Sequence, residues 1–318
     1  RFPAIMMTYP TVPHMHPDEA ALDGLADILG IGQSSYLFKK FVETEKAIQA
    51  SASHPAAEHA GEFSLIVLPY PGQTLAEFEV EIRNTLDEFA AVGVNEIDLI
   101  KFKAGRESDV INGLASVSGK VSQLANYQFM FGNPNLIHQD LQRYLDITAA
   151  DVMRVFNIYI KEKSSVIMSY LPDEEVLPAK ADNFFKRLDT INDFEKADYS
   201  NLTYQKTEDI FDRSIQPAAG PRPTLKVPEY WQTSFENGLQ IIGTANNEIP
   251  TTTLLLTLNG GHRLDSYDPA KSGLASLTAS MLNESTKKYS SEDIQEELRK
   301  LGSSIYVSSD DDGTYMSI

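Results

Sequence analysis

The sequence predicts an α+β fold, in which an antiparallel or mixed sheet is covered on one face by helices. Strand-like runs lie near both ends of residues 1–171, and a helical pattern fills most of residues 74–161 between them. Strand signals begin again at residue 229, after a stretch that is rich in proline and acidic residues. Strands and helices that are segregated along the chain in this way are typical of α+β domains.

The first segment is predicted to begin with a strand over residues 2–9, followed by a helix that opens at Pro17-Asp18-Glu19. Apolar residues recur along this helix at helical spacing, at Leu22, Leu25, Ala26 and Leu29. Ser34 or Ser35 is expected to cap a second helix, which carries Leu37, Phe38 and Phe41. Strands are then expected at about 46–53 and 62–69.

Residues 74–161 are predicted to be almost entirely helical. One apolar stripe consists of Leu75, Phe78, Ile82 and Leu86. Asn95 to Asp98 is typical of a helix start, and Thr148 to Asp151 has the pattern of a capping box. A strand over residues 165–171 is expected to close the first segment, which ends at Pro172.

Residues 172–228 are predicted to be a linker, because prolines recur there and Asp and Glu are frequent. A linker of this length is expected to run in extended form along a neighbouring domain. Short helical turns are expected around Phe184 and Phe185.

Residues 229–318 are predicted to begin with a tight hairpin whose turn is Asn237-Gly238. A strand from Thr251 to Leu258 follows, and Gly260-Gly261 ends it. Helices are expected at 272–286 and 290–301. The last element is a hairpin over residues 304–318, with its turn at Asp312-Gly313.

The charge and composition exclude several classes of function. The chain has 45 acidic and 27 basic residues and a formal net charge of -18, which argues against binding to nucleic acid or to anionic membranes. Solubility explains the acidity, and a preference for basic peptides is the functional alternative. There is no cysteine, so disulfides and thiolate metal sites are excluded. No apolar run is long enough to span a bilayer, and no membrane insertion is expected.

Residues 272–286 are the most informative part of the chain for function. A zinc peptidase needs two imidazoles on one helix face and a carboxylate that activates the bound water. In this helix Ser276 and Ser280 share a face, and Ala279 lies beside them. Hydroxyls are poor zinc ligands and alanine is no base. Neither HxxEH nor HExxH occurs anywhere in the sequence.

The residues around this helix resemble the insulinase/pitrilysin-type zinc metallopeptidases. The similar stretches in the last segment are Asn237–Leu239, Gly260–Asp265, Ser272–Ala275, Lys287–Glu292 and Leu301–Ile305. In the first segment they are Ile28–Leu37 and Phe41–Glu43, although that family usually has arginine where Tyr36 and Val42 stand. The resemblance places Ser276, Ala279 and Ser280 where the family's HxxEH motif has His, Glu and His.

The resemblance implies two halves, each made of two similar metallopeptidase-type domains. Residues 1–171 would be the second, non-catalytic domain of the first half, and residues 229–318 the start of a degenerate third domain, truncated. Because the chain starts at Arg1 rather than Met and stops at Ile318, we expect it to be a fragment of a longer protein. No catalytic and no metal-binding residue is carried over. Zinc is expected in the full-length parent, with its ligands before Arg1, and none is expected in this chain.

The implied parent is a zinc-dependent metalloendopeptidase that hydrolyses peptides in an enclosed chamber. This segment would be a structural, substrate-enclosing part that is inactive alone. The expected partners are a peptide or unfolded polypeptide substrate and the missing domains of its own chain, and a homo-oligomer is left open. The alternative is a non-catalytic partner subunit or a peptide-binding module of the same family. A periplasmic location in a Gram-negative bacterium is expected, with the cytoplasm as the alternative.

Other candidate residues are given simpler interpretations. His54, Glu58 and His59 have the side chains of metal ligands, but Pro55 breaks helical geometry, so a surface loop is expected. The remaining histidines are expected to bind metal adventitiously at most or to be structural or solvated: His14, His16, His138 and His262.

A serine nucleophile at Ser276 or Ser280 is disfavoured, because there is no G-x-S-x-G elbow and no poised histidine nearby in sequence, so small-residue helix packing is preferred. Asp310 to Gly313 is interpreted as an acidic hairpin turn rather than a calcium loop, since the alternating spacing and the distal glutamate are absent. Trp231 and the cluster Phe129-Met130-Phe131 are expected to pack in a core or between domains.

Overall fold

The fold is described from a computed structural model. The structure describes residues 2–172, 177–180, 200–205, 208, 212, 214–216, 218, 220–222, 224, 227–265 and 267–318. The helical turns predicted around Phe184 and Phe185 lie outside these residues, as does much of the predicted linker.

The chain forms two compact units. One consists of residues 1–181 together with 248–318, and the other of residues 182–247. The domain boundaries predicted at 171/172 and 228/229 remain a prediction.

The first sheet has four strands in the order β2-β3-β1-β4, and every pair is antiparallel. Met7 at its centre lies opposite Leu65 on one neighbouring strand and Ile167 on the other. Alternate residues of β1 are buried, because one face of the sheet is covered by helices and successive side chains point to opposite faces. The strand bounds are β1 Ala4–Thr11, β2 Ala47–Ser53, β3 Gly61–Pro69 and β4 Val166–Tyr170.

Helices fill most of the chain between β3 and β4, as the sequence predicts. Short π-helical turns at Phe38–Val42 and Phe156–Ile160 follow α1 and α6, and a 3₁₀ turn at Pro134–Leu136 precedes α5. The helix bounds are α1 Glu19–Gly30, α2 Leu75–Val92, α3 Glu96–Gly113, α4 Val117–Phe131, α5 Ile137–Asp146 and α6 Ala149–Val155. The α+β fold class is therefore confirmed.

The core lies between the first sheet and these helices. The predicted stripes of α1 and α2 are both buried there. Phe89 stacks edge-on against Phe156 and Tyr36, with ring centroids 5.0 and 5.1 Å away. Each large apolar side chain that is fully buried in such a core contributes roughly 1.5–3 kcal/mol. This core gives the first sheet its stability.

Capping boxes begin two of the helices α1 to α6. The predicted box at Thr148 and Asp151 is present in both directions, and a second one pairs Thr74 with Glu77. Asn95 caps α3 through its side-chain oxygen, which accepts from the N–H of Ile97.

The start of α1 is held by contacts with distant residues rather than by a local cap. Asp18 makes no side-chain cap. Its buried carboxylate accepts hydrogen bonds from Arg154 Nη2 at 2.7 Å and from the Tyr159 hydroxyl at 2.8 Å. Glu19 is buried as well, and accepts from His14, from the N–H of Met15 and from Arg143 at 2.9, 2.7 and 3.0 Å. Both acids therefore tie α1 to residues that lie more than a hundred positions further along the chain.

Residues 182–247 contain a hairpin of β5 Tyr230–Ser234 and β6 Gln240–Thr244. The predicted tight turn at Asn237-Gly238 is present, because Ser234 pairs with Gln240 and the N–H of Phe235 donates to the carbonyl of Leu239 at 2.8 Å. Gly238 adopts a left-handed φ of 87° in this loop, which lets the chain reverse. Trp231 is 57% exposed, so the prediction that it packs in a core is wrong, although its ring lies against Gly243.

A second sheet, in the order β7-β9-β8, is formed by β7 Leu255–Asn259, β8 Tyr306–Ser309 and β9 Gly313–Ser317. Its helices are α7 His262–Asp265, α8 Leu274–Met281 and α9 Ser291–Lys300, with a 3₁₀ turn at Pro269–Lys271. The helix predicted over 272–286 ends at Met281, where the backbone hydrogen bonds tighten to i–3 spacing at Asn283 and Glu284. Many leucines of this sheet are exposed. Among the described residues of its strands, Val307 is the buried apolar one.

Helix α9 packs on α3, and its Arg299 side chain reaches the end of α1. Arg299 donates to Asp27 at 2.5 Å and to the carbonyl of Ile31 at 2.8 Å. Lys39 pairs with Glu292 at 2.7 Å. Burial raises the pKa of Asp27 in spite of the nearby Arg299 guanidinium.

Helix α4 is the most exposed of the long helices, and none of its residues is fully buried. Phe129 is 86% exposed, so the prediction that it packs in a core is wrong, whereas Phe131 stacks edge-on against His14. Within the described residues, no helix combines the length and apolar character that a bilayer crossing needs.

The first prediction concerns Asp18. Burial opposes its ionisation, but the hydrogen bonds from Arg154 and Tyr159 outweigh it and lower the pKa of Asp18. A depressed folded-state pKa gives stability that is present above the unfolded-state pKa and is lost as pH falls through the folded one. Asp18→Asn should therefore lower the unfolding free energy at pH 7 by about 1–3 kcal/mol, a difference that shrinks below about pH 4.

Urea unfolding at pH 7 and at about pH 3.5 measures this difference. Asp87→Asn is the matched control, because Asp87 is an exposed acid that forms no hydrogen bond or ion pair in the described structure. A loss for Asp18→Asn that is the same at both pH values would contradict the assignment.

The second prediction concerns local stability. Strands β1 and β3 carry fully buried side chains, whereas β7 is exposed along its whole length. Amides of β7 and β9 should exchange with solvent on the order of tenfold faster, or more, than those of β1 and β3. Hydrogen exchange followed by mass spectrometry gives the comparison, and equal protection in both sheets would refute it.

Candidate functional site

Helix α8 is positioned by two glycine loops. A Cβ on Gly261 would lie 2.0 Å from the carbonyl oxygen of Asp310, so only glycine allows the chain to pass the β8–β9 turn here. Gly273 adopts a left-handed φ of 88° directly before α8. The first turn of α8 is held by the Asp265 carboxylate, which accepts from the N–H of Ala275 at 3.2 Å.

Ser276, Ala279 and Ser280 lie on α8 as the sequence predicts. Ser276 and Ser280 are exposed, and Ala279 is only 2% exposed. The Ser280 hydroxyl donates to the carbonyl of Ser276 one turn earlier, at 3.1 Å. The Ser280 hydroxyl is thus hydrogen-bonded to the helix backbone, and Ala279 is buried, so its side chain is not accessible from solvent.

Ser276 is hydrogen-bonded to a histidine that is distant in sequence. His262 Nε2 lies 2.8 Å from Ser276 Oγ, although the two residues are fourteen positions apart. The sequence has no poised histidine next to Ser276, and the fold brings His262 to it. The reason is that α7 and the following turn bring His262 back over the first turn of α8.

This serine–histidine pair lacks the third group that an activated serine needs. The nearest carboxylate, Asp311 Oδ1, is 3.9 Å from His262 Nδ1, too long for a hydrogen bond, and Asp311 is 75% exposed. A cleft of about 620 Å³ adjoins the pair and is lined by His262, Asp265, Pro269, Ser272, Gly273 and Ser276. The pair is an ordinary surface hydrogen bond that fixes the loop against α8.

The residues of α8 do not fit zinc. Two hydroxyls and a methyl group supply neither the imidazole ligands nor the base that a zinc peptidase requires. Across the described residues, no group of three or more His, Cys, Asp or Glu side chains is arranged to hold a metal ion.

His54 lies in the loop directly after β2, as predicted, but its side chain is buried, which corrects the predicted surface position. Its side chain is fully buried: Nδ1 lies 2.6 Å from Asp23 Oδ1, and Nε2 lies 3.0 Å from Thr11 Oγ1. Asp23 also accepts from the Tyr144 hydroxyl at 2.7 Å. His59 and His138 are exposed, and the Asp310 carboxylate accepts from two N–H groups of the hairpin turn, as expected.

A second cavity beside this cluster escaped the sequence interpretation. It has a volume of about 620 Å³ and lies between α1, the end of β2, α3 and the loop after α9. Asp23, His54, Arg106 and Arg299 line it, together with Ser303 and Ser304. These residues are spread over some 280 positions, so no local pattern in the sequence indicates that they meet.

Two family models match the chain. The model described as peptidase M16 inactive domain matches residues 1–105, and the model described as insulinase (peptidase family M16) matches residues 241–318. Together they cover more than half of the chain. The first match lies on the segment with the four-stranded sheet. The second match includes α8 with Ser276, Ala279 and Ser280.

The chain is also similar to individual proteins. It is 26% identical over 176 residues to zinc protease PqqE from Helicobacter pylori, which covers 53% of this chain and 38% of that protein. A crystal structure of a protease from Helicobacter pylori has a TM-score of 0.49 at 26% identity, covering 54% of this chain and 41% of the other. A peptidase M16 inactive domain from Pseudomonas fluorescens has a TM-score of 0.46 at 19% identity, with 55% and 42% covered.

The chain thus spans about two fifths of the length of the curated relative that it matches. Its two ends match two models of one family, and that family is the one that the residues around α8 resemble. The chain belongs to the M16, or insulinase, family of zinc metallopeptidase-type proteins.

Proposed function

We propose that this chain is a non-catalytic, substrate-enclosing part of a zinc metalloendopeptidase, and that the parent holds its zinc outside this chain. The observation that carries the proposal is the chemistry of α8, where Ser276, Ala279 and Ser280 replace the ligands and the base. The match of residues 1–105 to an inactive-domain model supports it. The domain order proposed from the sequence, with residues 1–171 before a linker and 229–318 after it, accords with this role.

The role of the chain would be to contact peptide and to shape the space in which it is cleaved. A formal net charge of -18 favours basic or unfolded peptides over acidic ones. Because a wall of this kind makes no bond to zinc, its residues act only by binding and by excluding water.

A non-catalytic partner subunit is the second candidate, since the same α8 residues support it equally. The zinc content of the full-length parent separates the two. About one zinc per parent chain together with peptide hydrolysis supports the peptidase, and a metal-free, inactive parent supports the partner subunit.

The third prediction is that the chain alone contains no stoichiometric zinc and cleaves no peptide, because no described side-chain group forms a zinc site. Elemental analysis after dialysis against zinc and a fluorogenic peptide assay measure this. About one bound zinc per chain, lost on substitution Ser276→Ala, would overturn the proposed role of α8.

The fourth prediction is that Ser276 is not an activated nucleophile. Its hydroxyl is exposed and its histidine has no carboxylate within hydrogen-bond distance. A fluorophosphonate reagent should add no mass to the intact chain under conditions that label a known serine hydrolase completely. Labelling that disappears in Ser276→Ala would instead establish a serine-based activity.

A further inference from the structure

The second cavity contains an arginine whose charge is not matched by a carboxylate. Arg106 on α3 lines this cavity, and its guanidinium carbon lies 4.1 Å from the centre of the Tyr144 ring. Its Nε is buried and has no hydrogen-bond partner. In residues 2–172 and 248–318, the other arginines each pair with at least one acid: Arg83, Arg143, Arg154, Arg263 and Arg299.

The acids that lie near Arg106 are engaged elsewhere. Asp23 holds His54 and Tyr144, and Asp27 holds Arg299. Asp109 lines the same cavity but is exposed and forms no ion pair with Arg106 in the described structure. Arg106 is partly exposed, and its buried Nε–H without an acceptor is costly. An anion in the cavity would supply the negative charge that Arg106 lacks.

The geometry around Arg106 suits a planar anion. Stacking on Tyr144 fixes the plane of the guanidinium, so little side-chain freedom is lost when a carboxylate accepts from its two terminal nitrogens. Asn112, Ser303 and Ser304 line the same cavity and offer neutral donors for further oxygens of a ligand. A cavity of about 620 Å³ accommodates a few residues of peptide.

We propose that this cavity binds the carboxylate of a peptide, with Arg106 as its anchor. The choice of a peptide rests on the proposed function, whereas the choice of a carboxylate rests on Arg106 and its surroundings. In an acidic chain, such an anchor would hold the carboxylate of a peptide whose remaining side chains are basic or neutral.

The test is a nuclear magnetic resonance titration of the whole chain with N-acetyl-trialanine and with its C-terminal amide. The acid should bind with a dissociation constant on the order of 1 mM and shift the Arg106 Nε–H signal, and the amide should not. Arg106→Gln should weaken binding of the acid on the order of tenfold or more, and Arg106→Lys should retain part of it. Arg83→Gln, which removes a paired arginine on α2, is the matched control and should leave the affinity unchanged.

A third peptide, with an internal glutamate and an amidated C-terminus, distinguishes a side-chain carboxylate from the terminal one. Binding of either carboxylate that depends on Arg106 supports the proposal and identifies its source. Equal binding of acid and amide, or no binding of any peptide, overturns it, and this comparison stands even where Arg106→Gln fails to fold. Zinc content and peptidase activity do not enter the readout, so the proposed function can fail separately.

Discussion

Two buried acids at the start of α1 hold the first part of the molecule together. A carboxylate that leaves water needs a partner charge and hydrogen bonds to compensate for its lost hydration. Asp18 and Glu19 find theirs on α5, α6 and the turn after α6, far along the chain. The helices after β3 must therefore return to the start of α1, and that return closes the core over the sheet.

The other end of α1 repeats this arrangement with a different partner. Asp27 binds Arg299 of α9, and Lys39 beyond α1 binds Glu292 of the same helix. The second sheet exposes most of its own apolar residues, and α9 makes these two ion pairs with the first segment. Such contacts are weaker and more sensitive to salt than a shared apolar core.

Local patterns predicted most of the fold. Each predicted element depends on residues that are close together in sequence. These elements are the apolar stripes of α1 and α2, the capping box at Thr148 and Asp151, and all four strands of the first sheet. The ion pairs could not be predicted in this way, because Asp18 and Arg154 are 136 positions apart. The buried position of the His54 side chain was missed for the same reason, because its partners Thr11 and Asp23 come from other elements.

At the candidate site, the residue types on α8 could be read from the sequence. The hydrogen bond between His262 and Ser276 could not be predicted, because it depends on the path of the turn between α7 and α8.

The burial of Ala279 has a consequence for how this helix can change. Placing His, Glu and His at 276, 279 and 280 would not rebuild a metal site in one move, since a glutamate at 279 must fit where a methyl group is 2% exposed. An unpaired carboxylate there would cost several kcal/mol, a large fraction of the stability of a typical domain. His262 would also have to release residue 276. The substitution at 279 therefore leads through a less stable protein, because the packing has closed around the smaller residue, whereas Ser276 and Ser280 are exposed.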